Sequence, residues 1–546
     1  MSHGLAWSLD SLALRGTTLF GVGWAFHPDV DILALTFILT NDREADCIAA
    51  DFGKQRDDVA HAHPKCPSAL HSGFIVIGEL SSAMAIDNIT LEATLSNGQV
   101  VRQVISHHQL QHLDASPSTA KPPLLRQATG LIWAGQRGFH LLRTGQFSAF
   151  IEKVRLHIRS KPKTALTQPK ELRKLLANKS ADKGSFLIID HDLGGGANLY
   201  RNKLVEEIVS SGGVALIFSF HVLTLQFMLI IRSPMTDTRV AVPSKAFLLE
   251  ALQGLPLQEI VYNTAVSFVK SEEIPQLLCS IAASTGARIK VLLHDFYVAC
   301  PSHFLLNQHN EHCRLPDTAV CNGCLAANEQ GFVRLFAARD ISMWRANWGQ
   351  LLLHAAEVIA FSQSTVDLVQ RAYPQLPRSR FKVVPHTVAH LPSKLPQLQH
   401  IRDLHIGVVG QIGLHKGAYV VRALEQEIRR RKTPIRITVI GSLEVHCNSE
   451  IVSQTGSYQH RDLPRLIEKS GANVMLFPSV WPETFSYVVQ ELIEMQLPIV
   501  CFDLGAPAER LATYPKGLII NLQKDARVIL DELLAFHHQI YLNGTT

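Results

Sequence analysis

The 546-residue sequence has little charge: 18% of its residues are Asp, Glu, Lys or Arg, and the formal net charge is +5. So small an imbalance excludes a dedicated nucleic-acid binder and favours anionic ligands only weakly. With 47% hydrophobic residues, the same composition excludes a disordered chain. Cysteines number only nine, an odd count, and do not describe a secreted disulfide framework. The N-terminal MSHGLAWSLDSLALRG lacks a charged n-region, an apolar h-region and a small-residue cleavage site, so a cytoplasmic location is expected. Long apolar runs are also missing, with one exception. Val214 to Ile231 is mostly apolar, divided in its middle by His221, Thr224 and Gln226. Two buried strands joined by a short turn fit it better than a membrane span, because buried parallel strands read as continuous apolar runs. Basic residues gather from Lys153 to Lys183, as a solvated linker face or at most a peripheral contact with the inner face of a membrane.

What is present divides the chain into four parts. Residues 1–115 alternate in short runs such as Ile32 to Leu39 and Ile89 to Leu95, with turn signals at Asn41-Asp42 and Asn97-Gly98, and predict a small all-β sandwich. Its Trp24 and Phe74 are expected in the core. Residues 116–183 predict a helical linker, including Gly138 to Ser160. Residues 184–395 alternate strand-like and helical patterns: Phe186 to Asp190, then Asn198 to Ser210, the apolar run, and Lys290 to His294. Residues 396–546 do so again with strands at Ile406 to Val409, Arg436 to Ile440, Asn473 to Phe477 and Ile499 to Phe502. The fold class is therefore α/β, with two Rossmann-like domains expected to face a cleft.

The most specific segment is PSVWPETFSYVVQE, Pro478 to Glu491, which leaves an apolar strand and enters a helical pattern. A helix N-terminus presents unpaired amides and positive dipole, a place for a diphosphate. Glu483 stands on the loop before that helix and Glu491 about two turns on, each able to accept hydroxyl hydrogen bonds. A second segment, Gly410 to Gly417, follows the strand IGVV; Gly413 allows close backbone approach and Lys416 supplies a positive charge. A third, Asp192 to Asn198, places Gly195 and Gly196 at a strand-to-helix turn. A fourth puts His294 at a strand's carboxyl end. Cys300, Cys313, Cys321 and Cys324 form the one cysteine cluster. It is either a structural zinc site, with His303, His309 and His312 as alternative ligands, or a set of reduced thiols in a long loop.

Glu483 and Glu491, with seven residues between them and lying between Ser479 and Leu497-Pro498-Ile499-Val500, resemble the Glu-x7-Glu motif of retaining GT-B glycosyltransferases of the family 4 type that build bacterial polysaccharides. The resemblance implies that Glu483 contacts the donor sugar, Glu491 the nucleotide ribose, and the Thr484, Phe485 and Ser486 backbone the diphosphate. It also implies that Gly195, Gly196 and Gly413 approach the donor, that Lys416 meets the leaving diphosphate, and that His294 lies near the donor sugar. Where many members carry an Arg, this chain has Gln411. Similar cysteines follow the His-Asp strand in some of these enzymes. Gly23-Trp24, Arg56 to Val59 and Ser72-Gly73-Phe74 resemble an accessory β-domain ahead of some of them. The expected partners are a nucleoside diphosphate sugar, a glycan or lipid-linked acceptor and other polysaccharide-assembly proteins. Transfer is expected without a catalytic metal, the chain being read as having no Asp-x-Asp motif to hold one. A 2-epimerase or phosphorylase on the same fold, or a non-catalytic glycan-binding scaffold, are the competing readings.

Overall fold

The computed structural model describes residues 4–41, 44–81, 86–112, 166–177, 184–222, 224–328, 333, 338–388, 395–398 and 402–541. The chain forms two compact units, residues 1–289 with 334–339 and residues 290–333 with 340–546. Most of the linker predicted over 116–183, including Gly138 to Ser160 and the start of the basic run, lies outside the described residues. The helix Pro169–Ala177 is the part of it that is described.

The first unit begins with the expected all-β region, built from nine strands. These are β1 (Ala6–Arg15), β2 (Thr18–Phe26), β3 (Ile32–Thr40), β4 (Ala45–Ala49), β5 (Asp51–Lys54), β6 (Gly73–Glu79), β7 (Asn88–Leu95), β8 (Val100–Ile105) and β9 (Leu110–His112). One sheet runs β5-β6-β2-β1-β9 and the other β4-β3-β7-β8. Alternation decides the inner faces: Leu35, Phe37 and Leu39 of β3 and Ile89, Leu91 and Ala93 of β7 are buried with Leu12, Leu19, Phe74 and Val76 of the other sheet. Phe74 is a core residue, while Trp24 is half-buried and stacks on Phe26. Gly23 has a steric cause: a Cβ there would meet the Ser8 carbonyl at 2.3 Å and the Phe74 ring at 2.8 Å.

An α/β region follows, with β10 (Ser185–Ile189), β11 (Val214–His221), β12 (Gln226–Ser233), β13 (Thr236–Val242) and β14 (Leu257–Tyr262) in the order β13-β12-β11-β10-β14. The apolar run is indeed two strands, yet β11 and β12 pair antiparallel. Four residues between them suffice for a hairpin, whereas a parallel return needs a crossover of a dozen or more. β13 extends the hairpin into a meander whose polar TDTRVAV gave no apolar signal.

In the second unit β15 (Arg288–Leu292), β16 (Glu357–Ala360) and β17 (Phe381–Val383) are parallel neighbours, the first two residues of β15 counting with the first unit. A separate sheet comprises β18 (His405–Ile412), β19 (Arg436–Leu443), β20 (Val452–Gln454), β21 (Val474–Phe477), β22 (Ile499–Phe502) and β23 (Gly517–Ile520). Its order is β20-β19-β18-β21-β22-β23, every pairing parallel. Numbered within itself this is 3-2-1-4-5-6, the doubly wound dinucleotide-fold order. The architecture is thus α/β with parallel sheets after an all-β region. Among the described residues no helix is long and apolar enough to cross a membrane.

Candidate functional site

In a doubly wound sheet the strand order reverses at one place, and ligands bind outside the carboxyl ends of the strands there. In the second unit that place lies between β18 and β21. The loop after β18 is Gly413 to Gly417, and the loop after β21 is Pro478 to Ser486, so two of the segments singled out in the sequence meet by topology. They are laced together. Val480 N donates to the His415 carbonyl at 3.1 Å. Gly417 has φ +84°, and a Cβ there would come within 1.9 Å of the Pro478 carbonyl oxygen, so no other residue fits this crossing. His415 stacks on Phe304 at 4.3 Å, and Phe304 meets Trp481 at 4.7 Å.

The helix after the second loop, α1 (Tyr487–Glu494), is started by Ser486, whose hydroxyl accepts from Val489 N. Just ahead of it Glu483 is buried, with 4% of its surface exposed. Lys416 Nζ is 3.8 Å from Glu483 Oε1. That oxygen has no hydrogen-bond partner among the described residues. Burial pushes the Glu483 carboxyl up, while Lys416 and the neighbouring Ser486, Ser479 and Trp481 pull it down. The Glu483 backbone is fixed by Ala506 N, which donates to its carbonyl at 2.8 Å. It is also fixed by Gly505, at φ +59°, where a Cβ would meet the Glu483 carbonyl oxygen at 2.6 Å.

Glu491 lies about one turn along α1 and is 2% exposed. His460 Nδ1 is 2.9 Å from Glu491 Oε1, and Oε2 is buried with no partner among the described residues. The pairing with Glu491 holds the His460 imidazole above its ordinary value, against burial.

His294, two residues past β15, reaches the same region through its backbone: Thr484 Oγ1 donates to its carbonyl at 2.8 Å. Its ring stacks on Phe361 at 4.5 Å and lies 5.4 Å from His386. His386, in turn, stacks on Phe485 at 4.5 Å and places Nδ1 2.6 Å from Tyr487 Oη. The Arg510 guanidinium lies over Phe485, 4.3 Å from the ring centroid, its pKa lowered by burial. His386, Tyr487, His460, Gly505 and Arg510 were not anticipated. Pro385-His386, one residue beyond the end of β17, is the one local signal among them, being another His near a strand's carboxyl end.

Lys416, Glu483, Thr484, Phe485, Ser486 and His294 are therefore brought together, with Glu491 on the helix that follows the loop. Gln411 stays on β18, exposed and paired in register with Ser442. Gly413 is confined by Glu444, whose Oε2 accepts from Leu414 N at 3.0 Å and would sit 2.8 Å from a Cβ on the glycine.

In the first unit the reversal lies between β10 and β14, and the loop after β10 carries the glycines. Gly195, at φ +86°, is the N-cap of the helix Gly196–Ser210. Asp190 anchors this turn: fully buried, it takes hydrogen bonds from Asn198 at 2.7 Å and Asn263 at 2.9 Å, with Arg201 at 3.0 Å. Asp190-His191-Asp192 does carry Asp-x-Asp spacing, contrary to the absence expected from the sequence. Asp190 spends its oxygens on this scaffold.

The cysteines also draw together. Cys313 Sγ, Cys321 Sγ and Cys324 Sγ each raise the pKa of Cys300, though burial is the main cause. Arg345 Nη2 lies 3.7 Å from Cys321 Sγ, and Asn328 Nδ2 3.4 Å from Cys324 Sγ. Among the described residues no group of three His, Cys, Asp or Glu side chains is arranged to hold a metal ion.

Residues 403–537 match the family described as glycosyl transferases group 1. The β18–β23 sheet with its two loops thus forms a glycosyltransferase group 1 domain. Among solved structures the chain is similar to sucrose-phosphate synthase from Thermosynechococcus elongatus, at 15% identity over 66% of this chain and 90% of that one, TM-score 0.43. It is also similar to Anabaena HepE in complex with UDP-glucose, at 14% identity over 66% and 99%, TM-score 0.39. A third is the catalytic domain of starch synthase IV from Arabidopsis thaliana bound to ADP and acarbose, at 11% identity over 65% and 92%, TM-score 0.38. No curated protein matches the chain.

Proposed function

We propose that the chain is a retaining glycosyltransferase that moves a sugar from a nucleoside diphosphate sugar to a glycan or lipid-linked acceptor of bacterial surface polysaccharide synthesis, without a catalytic metal. The observation that carries the donor assignment is the pair of buried carboxylates on one loop and helix, each with an oxygen that accepts no hydrogen bond from the described residues. A buried unpaired carboxylate oxygen is costly, and a ligand rich in hydroxyls removes the cost. In this reading Glu483 accepts from the donor sugar and Glu491 from the ribose. The diphosphate lies at the start of α1, over the Thr484 to Ser486 amides, with Lys416 as its cation. Preorganised positive charge at the leaving group is the main catalytic term. His294 stands beside the donor sugar, and Gly195 and Gly196 are proposed donor contacts by family resemblance.

The test is incubation with a panel of nucleotide sugars, read by released nucleotide and by product analysis. Donor hydrolysis or transfer with one sugar is expected, abolished or reduced about a hundredfold in Lys416→Met, as for loss of one preorganised donor to a developing charge. Epimer formation, or binding without turnover in every combination, would overturn it, as would undiminished activity in Glu483→Ala.

A further inference from the structure

The 3-10 turn His460–Asp462 follows β20 and leads into the helix Leu463–Ser470. The turn is closed by Asp462 N donating to the Gln459 carbonyl at 2.8 Å, which fixes where His460 points. His460 has 46% of its side chain exposed, whereas its partner Glu491 has 3%. A half-exposed ring thus covers one oxygen of an almost fully buried carboxylate, at 2.9 Å, and the other oxygen is left without a partner among the described residues. Tyr458, whose ring centroid is 6.2 Å from that of His460, stands on the same segment, and Glu491 raises its phenol pKa after burial does. A carboxylate free to rotate presents either oxygen in many directions; one tethered through Oε1 presents Oε2 in a single direction.

We propose that His460 is a positioning residue that makes this site select ribonucleotides, an inference that rests on the donor assignment above. By holding Oε1 of Glu491, His460 aims Oε2 at a ribose hydroxyl of the nucleotide. A diphosphate lacking that hydroxyl leaves Oε2 buried and unpaired, the arrangement by which polar sites reject analogues. The base and the sugar play no part in this selection, so it holds for whichever nucleoside the enzyme uses.

The probes are UDP, ADP and GDP, followed for the one that binds by its 2′-deoxy and 2′,3′-dideoxy forms, with Kd read by calorimetry. In the wild type the weaker of the two deoxy forms is expected to bind about tenfold or more less tightly than the ribonucleotide, the usual worth of a hydrogen bond to a charged group. In His460→Ala the ratio is expected to fall towards unity, and in His460→Asn, which keeps a donor, to be largely restored. A wild-type ratio preserved in His460→Ala overturns the proposal, since a residue that merely supports the fold would weaken all three ligands alike. Should the Ala variant not fold, the ratio read in Glu491→Gln and His460→Asn decides: collapse in the first with retention in the second is expected, and retention in both overturns it. If the wild type binds none of the three ribonucleotides, the donor assignment fails together with the inference. If it binds one without discriminating, the inference alone fails.

Discussion

Glu483 and Glu491 are both carboxylates withdrawn from water, and their surroundings treat them differently. Burial raises Glu483 despite Lys416, so the folded protein holds a proton there more tightly than the unfolded chain does. The folded state is favoured by acid at this position: the penalty is absent below the unfolded glutamate value of about 4.3, grows as pH rises through the raised folded value, and is constant above it. Glu483→Gln is therefore expected to melt higher than the wild type at pH 7, by about 2–4 °C if the penalty is ~1 kcal/mol, and to lose that advantage towards pH 4. Thermal melts across that range, beside donor turnover, check it. A gain in Tm with a loss of turnover marks strain kept for function. His460 runs the other way. Its imidazole is raised mainly by the bond to Glu491, so the pair contributes stability fully present below the unfolded value of about 6.5 and weakened as pH rises through the raised value. Proton NMR is expected to show His460 titrating above 6.5 in the wild type and lower in Glu491→Gln.

At the scale of elements, the site is two loops held in register by glycines. Gly417 and Gly98 share φ +84°, but only at Gly417 does a Cβ meet anything, the Pro478 carbonyl at 1.9 Å. Gly98→Ala is expected to cost about 1 kcal/mol from backbone strain alone, whereas Gly417→Ala must also displace the loop that carries Glu483. Denaturant melts and donor turnover of the two variants separate the effects: turnover unchanged in the first and lost in the second. Ser486→Ala, which removes the cap of α1, is expected to cost about 1 kcal/mol as well. Gly417 also shows what could be read from the sequence. Its Lys-Gly ending, the strand before it and the Glu483…Glu491 spacing are local, so the loops could be placed before any coordinates. Ile499 to Phe502 matches β22 residue for residue, because a short apolar run between turns has one interpretation. His460 could not be found this way: it lies in a short 3-10 turn and gains its meaning only from a partner 31 residues distant. His386 had one local sign, its place just past a strand's carboxyl end, but its partner Tyr487 is 101 residues away. The antiparallel turn of β11 and β12 was hidden for a related reason: apolar runs report burial, not strand direction.

For the whole chain, the all-β region is an integral part of the first unit. Lys245, 6% exposed, places Nζ 2.8 Å from Glu79 of β6 and 2.6 Å from Glu273, and donates to the carbonyls of Val269 and Lys270. Around this ion cluster Arg15 Nη1 donates to the Thr224 carbonyl at 2.7 Å, and Gly16, at φ +56°, leaves no room for a Cβ beside the Pro243 carbonyl at 2.9 Å. The turn between β1 and β2 is thus seated on the meander β11–β13 by charge, hydrogen bonds and a close backbone approach. A buried pair adds little over a well-packed apolar one, but removing one partner strands the other, at about 3–5 kcal/mol. Lys245→Met is accordingly expected to destabilise the first unit by that amount, with Glu79 left buried and unpaired. Double substitution of Lys245→Met with Glu79→Gln should recover much of the loss, since it removes the stranded charge. Lys416, Glu483, His460 and Glu491 all belong to the second unit, so nucleotide affinity measured below the melting transition is expected to stay within about twofold of wild type. Equal stability of the Lys245→Met variant and the wild type in denaturant would mean that the seat of β1 and β2 rests on the Arg15 side-chain bond and the close backbone approach at Gly16 instead.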